Sequence, residues 1–382
     1  MPARADDSAR SRPLLVTDDP HLLDELLNLA GADVEVAPDP AAARDRYGSA
    51  PIVLVGVDLA EPCARARLPR RPGVIVVGMR PEPSDDDVPD PPWAVAERLG
   101  AEHIVLLPRA ASWLADRLAM ATGTGTGGCV LAIVGGRGGA GTSVMAAGLA
   151  VTAVRLGRRA VLVDGDPYGG GLDLLLGWEG IAGLRWPGLS HAAGGVSAGA
   201  LAEALPQEGE LAVLSCDRDD PVVPIEAMEA ALEAGRCGWH LTVVDLPRRF
   251  DESAEAALAA ADHVLLVVPA ELRACAAAAR VATEALRHTR SLSLVVRTPA
   301  PARLAAREIA RALELPLAGS YRFETALARG LEHGRAPTAL GTGSLAQLCE
   351  RLLAGFGVIE RAGGRSRGEL ASPAARTNGG AA

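Results

Sequence analysis

The sequence contains no lysine: all 38 basic residues are arginine. No step that needs a lysine ammonium can therefore take place on this chain. Aromatic residues make up only 3%, so its cores must be built from Ala, Val and Leu, which suit helices packed on a parallel sheet. The six cysteines, Cys63, Cys129, Cys216, Cys237, Cys275 and Cys349, include no C-x-x-C pair. They fit reduced thiols and offer no metal-site spacing. The seven histidines form no H-x-x-x-H or similar pattern, which leaves them to surface and packing roles. No apolar run approaches the ~18 residues of a membrane span. The N-terminal stretch MPARADDSARSRP has no signal-peptide apolar segment behind it. A soluble, cytoplasmic protein is expected. The formal net charge of -9 argues against broad DNA or RNA binding, although a local arginine patch can still contact phosphates.

What is present is length and aliphatic content. The chain has 382 residues, 49% of them hydrophobic, enough for two domains with a core in each. In the first, five apolar strands alternate with helices: Pro13–Thr17, Val34–Val36, Ile52–Val55, Val74–Val77 and His103–Leu107. Helices are expected at His21–Ala30, Ala41–Tyr47, Trp93–Leu99 and Ala110–Ala121. This is the pattern of a doubly wound parallel sheet, spanning residues 1–121. The run Thr122-Gly123-Thr124-Gly125-Thr126-Gly127-Gly128 packs poorly and marks a linker, 122–128. A second alpha/beta domain is expected over 129–361. Its strands are placed at Val130–Val134, Ala160–Val163, Leu211–Leu214, Leu241–Val244, His263–Val268 and Leu292–Val296. A last helix from Ser344 to about Phe356 puts Leu345, Leu348, Leu352 and Phe356 on one face, as a packing helix does. Residues 362–382 lack periodicity and are expected to be disordered.

The informative stretch is Gly135-Gly136-Arg137-Gly138-Gly139-Ala140-Gly141-Thr142-Ser143. It follows an apolar strand and opens a helix, the setting in which a glycine-rich loop can wrap a polyphosphate. Glycine tolerates positive φ and close approach, and the loop amides and helix N-terminus then face the anion. Two further segments end strands in carboxylates: Val161-Leu162-Val163-Asp164-Gly165-Asp166-Pro167 and Val243-Val244-Asp245-Leu246-Pro247. A single Asp at a strand end is most often a helix cap. Two such segments following a glycine-rich loop of this kind point elsewhere.

Together these residues resemble the MinD/ParA family of P-loop proteins, whose deviant loop reads K-G-G-x-G-K-[ST]. The resemblance covers roughly residues 129–358. It implies ATP and Mg2+ as ligands, with Gly136, Arg137, Gly138, Gly139, Ala140, Gly141, Thr142 and Ser143 around the phosphates. Ser143, Asp164 and Asp245 fall at or beside the magnesium position. Asp166 falls where the family positions the attacking water. Arg137 takes the place of the lysine that reaches the partner's nucleotide in a homodimer, so Asp166 and Arg137 are the catalytic candidates. The departures are equally specific. Thr142 stands where the second lysine contacts the β and γ phosphates, and Arg297 stands where many members carry a base-contacting Asn. Weak ATP binding with slow or absent hydrolysis is the expectation. A working ATPase charged by Arg137 is the alternative.

The first domain resembles a response-regulator receiver with its chemistry removed. The acidic pair Asp18-Asp19 is present, but Gly56 falls at the phosphoryl-acceptor position, with Asp58 two residues late. Gly78 and Leu107 replace the hydroxyl and lysine residues. Asp18 and Asp19 are better read as a loop and a cap for the following helix. A degenerate receiver joined to a MinD-like domain is the layout of CpaE/TadZ proteins. The segments 164–173 and 183–187 look most like the actinobacterial septum-site-determining branch. The resemblance implies a localisation protein at septum or pole, with cell-division partners or, alternatively, pilus or secretion assembly partners. The residues C-terminal to Arg361 supply no basic amphipathic helix, so any membrane association would be indirect.

Overall fold

The computed structural model describes residues 12–30, 34–79, 93–123, 127–189, 196–219, 222–298 and 304–359. The expected tail, 362–382, lies outside these residues, as do positions 124–126 of the Thr/Gly segment.

The first part of the chain runs β1 (Leu14–Val16), α1 (Pro20–Ala30), β2 (Glu35–Ala37), α2 (Pro40–Tyr47) and β3 (Val53–Gly56). It continues with α3 (Val57–Arg65), β4 (Val74–Met79), α4 (Trp93–Leu99), β5 (His103–Leu107) and α5 (Ala111–Ala121). The five strands form one parallel sheet in the order β2-β1-β3-β4-β5. Its interior strands are continuous apolar runs because both faces are covered by helices. Helix α3 was not expected from the sequence. It begins directly at the end of β3 and carries Pro62 inside it, so neither a turn signal nor a clean helical pattern announces it.

The second part opens with β6 (Cys129–Gly135), α6 (Thr142–Arg155), β7 (Ala160–Asp164), α7 (Leu172–Leu176) and α8 (Trp186–Leu189). Then come α9 (Ala198–Ala204), β8 (Gln207–Glu208), β9 (Leu211–Leu214), α10 (Ile225–Gly238) and β10 (Leu241–Leu246). Next are α11 (Glu252–Ala260), β11 (His263–Pro269), α12 (Leu272–Ala285), β12 (Leu292–Thr298) and α13 (Ala306–Leu313). The part closes with β13 (Leu317–Arg322), α14 (Thr325–Leu331) and α15 (Gly343–Gly355). The sheet order is β13-β12-β11-β6-β10-β7-β9-β8, parallel except for the short edge strand β8.

All six strands expected in this part are present. Edge strand β13 was missed, because LAGSYR has small and polar residues and only Tyr321 in it is buried. The central strand β6 alternates its side chains between two cores. Val130, Ala132 and Val134 join one, and Leu131 and Ile133 the other. Helix α6 buries Ala146, Ala147, Ala150 and Ala153, and these small residues let it lie close on the sheet. Helix α15 packs on α6 with Leu345, Leu348 and Leu352 buried, as a packing helix should. Among the described residues no helix is long and apolar enough to cross a membrane.

The two sheets are joined through α5. The Ala198 amide at the start of α9 donates to Asp116 Oδ2 at 2.8 Å. Arg117 Nε lies 3.0 Å from Glu233 on α10.

Candidate functional site

The glycine loop lies at the carboxyl edge of β6, the innermost position of the large sheet, where open parallel sheets place their ligands. Its glycines serve different ends. Gly135 and Gly136 are packed: a β-carbon on Gly136 would sit 2.8 Å from Ala278 Cβ on α12. Gly139 adopts φ 67° and faces open space, with nothing within 4 Å of a notional β-carbon. Gly141 caps α6 in the left-handed conformation, φ 96° and ψ 28°, which L side chains resist. Ala140 is buried beneath the loop. Helix α6 has no side-chain N-cap, so its first amides, at Thr142 and Ser143, are left to solvent or a ligand. Thr142 turns its hydroxyl back toward the strand, with Oγ1 2.5 Å from a notional β-carbon on Gly135.

Two carboxylates stand beside this loop. Strands β7 and β10 are neighbours, and their register pairs Asp164 with Asp245. Both are buried, at 2% and 4% exposure. Burial pushes the Asp164 carboxyl up from 3.8 to about 6, against two stabilising backbone amides, those of Leu172 and Asp166. They donate to its oxygens at 3.1 and 3.3 Å. Burial holds Asp245 well above the ordinary carboxylate range as well, and only a hydrogen bond with Ser143 opposes it. Asp166 is half-buried at the start of the following turn, where its Oδ1 accepts from the Tyr168 amide at 3.2 Å. Its charge adds to the repulsion felt by both buried neighbours. The sequence reading had brought Ser143, Asp164, Asp166 and Asp245 together, and the fold places them together.

Arg137 sits differently. Its Nη2 donates to both oxygens of Glu271, at 2.9 and 2.8 Å, and Glu271 is the N-cap residue of α12. Both side chains are about one-third exposed. Pairs of that exposure contribute about 1 kcal/mol or less, so the contact holds Arg137 without locking it. Its Nε is buried and has no partner among the described residues.

Asp173 is a further buried carboxylate near Asp164 that the sequence pattern did not single out. It is 4% exposed, with Arg185 Nη1 at 3.0 Å and Arg218 Nη2 at 3.5 Å. Its amide donates to Ser215 Oγ at 3.2 Å. Nothing in the local pattern separates it from a solvated helix residue; only the pairing with distant arginines does.

The loop and the carboxylates fit a magnesium-bound polyphosphate in shape and donor chemistry. Magnesium usually takes one or two carboxylates and completes its shell with water and phosphate oxygens. Among the described residues no group of three or more His, Cys, Asp or Glu is arranged to hold a metal by itself.

The first sheet's carboxyl edge is closed on itself. Asp58 folds back from the first turn of α3, and its Oδ1 occupies the space a β-carbon on Gly56 would need. It accepts from Thr17 Oγ1 at 2.9 Å and from the Asp18 amide at 2.8 Å. Asp19 accepts from the His21 and Leu22 amides, the helix-capping role expected of it.

The chain thus combines a CheY-like N-terminal fold with a MinD/ParA-like P-loop fold. Over 60% of its length the chain is similar to the solved MinD cell division protein of Aquifex aeolicus, at 22% identity and a TM-score of 0.50, with 97% of that chain covered. It is similar also to the ParA family ATPase from Chlorobium tepidum TLS, at 15% identity and a TM-score of 0.52, with 60% and 98% of the two chains covered. Residues 16–128 match the family described as Rv3660c-like, CheY-like N-terminal domain. The uncharacterized protein Rv3660c of Mycobacterium tuberculosis H37Rv is 38% identical over 361 residues, 92% of this chain and 99% of the relative. Protein MT3760 of strain CDC 1551 matches to the same extent. The chain belongs to the Rv3660c-like family.

Proposed function

We propose that the chain is a cell-division regulator of the MinD/ParA–CpaE type, nearest in layout to the septum-site-determining branch, which selects or blocks the division site. It binds ATP with Mg2+ weakly, turns it over slowly or not at all, and signals through homodimerisation and partner contact. The observation that carries this reading is a loop that keeps its phosphate-wrapping shape beside two buried carboxylates while holding no lysine. In this reading the backbone of Gly136, Gly138, Gly139, Ala140 and Gly141 and the amides of Thr142 and Ser143 face the phosphates. The Ser143 hydroxyl and Asp245 carboxylate turn toward the cation, with Asp164 beside them. Asp166 orients water, and Arg137 reaches the partner's nucleotide once released from Glu271. Bound magnesium would supply charge neutralisation at the phosphates. A lost electrostatic donor costs about 3 kcal/mol at the transition state, or roughly 150-fold in rate. That loss, with nothing else changed, is enough to turn an ATPase into a nucleotide-binding switch. The negative net charge speaks against a DNA partition role.

The test is made in the cell that encodes the protein. The intact chain and its Gly141→Val variant are overproduced as fluorescent fusions, and septa are counted. Placement at septum or pole with fewer septa for the intact chain, and a weaker effect for the variant, is the expected result. Normal septation with altered pilus or secretion assembly would sink the septum reading and mark the localisation-ATPase role.

A further inference from the structure

Arg297, at the end of a strand, comes close to the residue that precedes Thr142, the threonine standing in place of a lysine. Arg297 leaves β12 with its Nη1 3.6 Å and its Cδ 3.7 Å from a notional β-carbon on Gly141, the residue just before Thr142. From the other side comes Arg248, three residues beyond Asp245. Its Nη2 lies 3.8 Å from the corresponding point on Gly138. Strands β12 and β10 lie on opposite sides of β6, so the two side chains come to the loop from opposite sides, at Gly141 and at Gly138.

Their surroundings leave both groups available. Arg137 is paired with Glu271, whereas among the described residues neither Arg248 nor Arg297 makes an ion pair. Arg297 rests near the Phe323 ring, 5.3 Å from guanidinium carbon to ring centroid, which steadies it without neutralising it. A third group points to the same place. Tyr321 on β13 is 1% exposed, and its hydroxyl lies 3.0 Å from the notional β-carbon of Gly141. That hydroxyl has no hydrogen-bond partner among the described residues, a costly state for a buried polar atom unless a ligand completes it. The carboxylates Asp164, Asp166 and Asp245 belong to the β7–β10 side of the loop, away from Arg297 and Tyr321 on β12 and β13.

We propose that Arg297 and Arg248, with the Tyr321 hydroxyl, supply the contacts to a bound polyphosphate that no lysine at position 142 makes. The loop is an arginine-charged cradle that reads polyphosphate charge rather than the base. Arginine suits this role, because its guanidinium carries a permanent charge and a planar fork matched to phosphate oxygens. The inference rests on the nucleotide-binding reading above, and its test separates the two.

Calorimetric titrations with magnesium are run with ATP and with inorganic tripolyphosphate, on the intact chain and on Arg297→Gln, Arg297→Lys, Arg248→Gln and Thr142→Lys/Arg297→Gln. Thermal unfolding of each protein without ligand checks that it is folded. Arg297→Gln is expected to weaken both probes by the same factor, about tenfold or more, the size of a lost charge-assisted hydrogen bond. Arg297→Lys should lose less, Arg248→Gln should lose a smaller factor, and Thr142→Lys should restore binding to Arg297→Gln. A loss for ATP with none for tripolyphosphate would make Arg297 a base contact and overturn the proposal. Undiminished binding of both probes by Arg297→Gln would overturn it while leaving the nucleotide-binding reading intact. Absence of binding to the intact chain would remove both.

Discussion

At the carboxyl edge of the five-stranded sheet, Asp58 accepts from Thr17 Oγ1 and the Asp18 amide, and Asp19 caps the following helix. At the carboxyl edge of the eight-stranded sheet, Asp164 and Asp245 are paired by register and buried, and burial pushes both carboxyls up. The two edges share an architecture and differ in how their acids are satisfied. Local donors close the first edge. The second edge keeps acids that its own protein groups only partly stabilise, beside a loop with open amides. In the proposed reading, carboxylates that lack enough partners of their own are what leave an edge of a parallel sheet able to take a ligand.

The largest expected effect that sharpens this contrast comes from Asp245→Asn. Removing one of the two carboxylates should cut magnesium-dependent nucleotide binding by about 10–100-fold, measured by titration with and without magnesium. The fold should not suffer. A carboxyl whose folded pKa is raised contributes stability at low pH and loses it as pH rises through the raised value. The amide removes that loss, so the melting temperature at neutral pH should be unchanged or higher. By the same sign, acidification from pH 6 toward 4 should strengthen the contribution of Asp164, whose carboxyl moves from 3.8 to about 6.

Asp58→Ala should behave in the opposite way. It removes the acceptor for two hydrogen bonds, at a cost of about 1–2 kcal/mol in the stability of the first domain, read by urea unfolding. Nucleotide binding at the second edge should stay as it was. A change in nucleotide affinity would show that the two edges communicate and would break the comparison.

The smallest effect lies between the domains. His103 faces Glu233, Arg117, Glu102 and Glu229, and burial lowers its pKa from 6.5, the carboxylates opposing and Arg117 reinforcing. A depressed pKa means that stability present above about 6.5 is lost as pH falls through the lowered value. Arg117→Ala should therefore reduce the acid sensitivity of the melting temperature while costing under about 1 kcal/mol at neutral pH. An unchanged pH profile would rule out this coupling.

Much of the fold was legible because parallel strands buried on both faces are written as continuous apolar runs. Every strand expected in the second domain was found for that reason, and the loop with Ser143, Asp164 and Asp245 was legible from its order along the chain. Helix α3 escaped because Pro62 and an abrupt start at Gly56 hide it. Strand β13 escaped because an edge strand needs few apolar residues. Other features depend on strand order and so cannot be seen locally. The Arg137–Glu271 pair spans 134 residues, the Asp58 carboxylate folds back over Gly56, and Arg297 reaches Gly141 only because β12 lies one strand beyond β11.

The central claim, that the lysine-free loop is a live nucleotide cradle, is tested most directly by calorimetric titration of ATP with magnesium into the intact chain and into Gly141→Val. Valine at this position must adopt φ 96° and place its β-carbon 3.0 Å from Tyr321 Oη. The expected result is measurable binding to the intact chain and none to the variant, with both proteins folded. Equal binding by both, or no binding to the intact chain at millimolar ATP, would contradict the account.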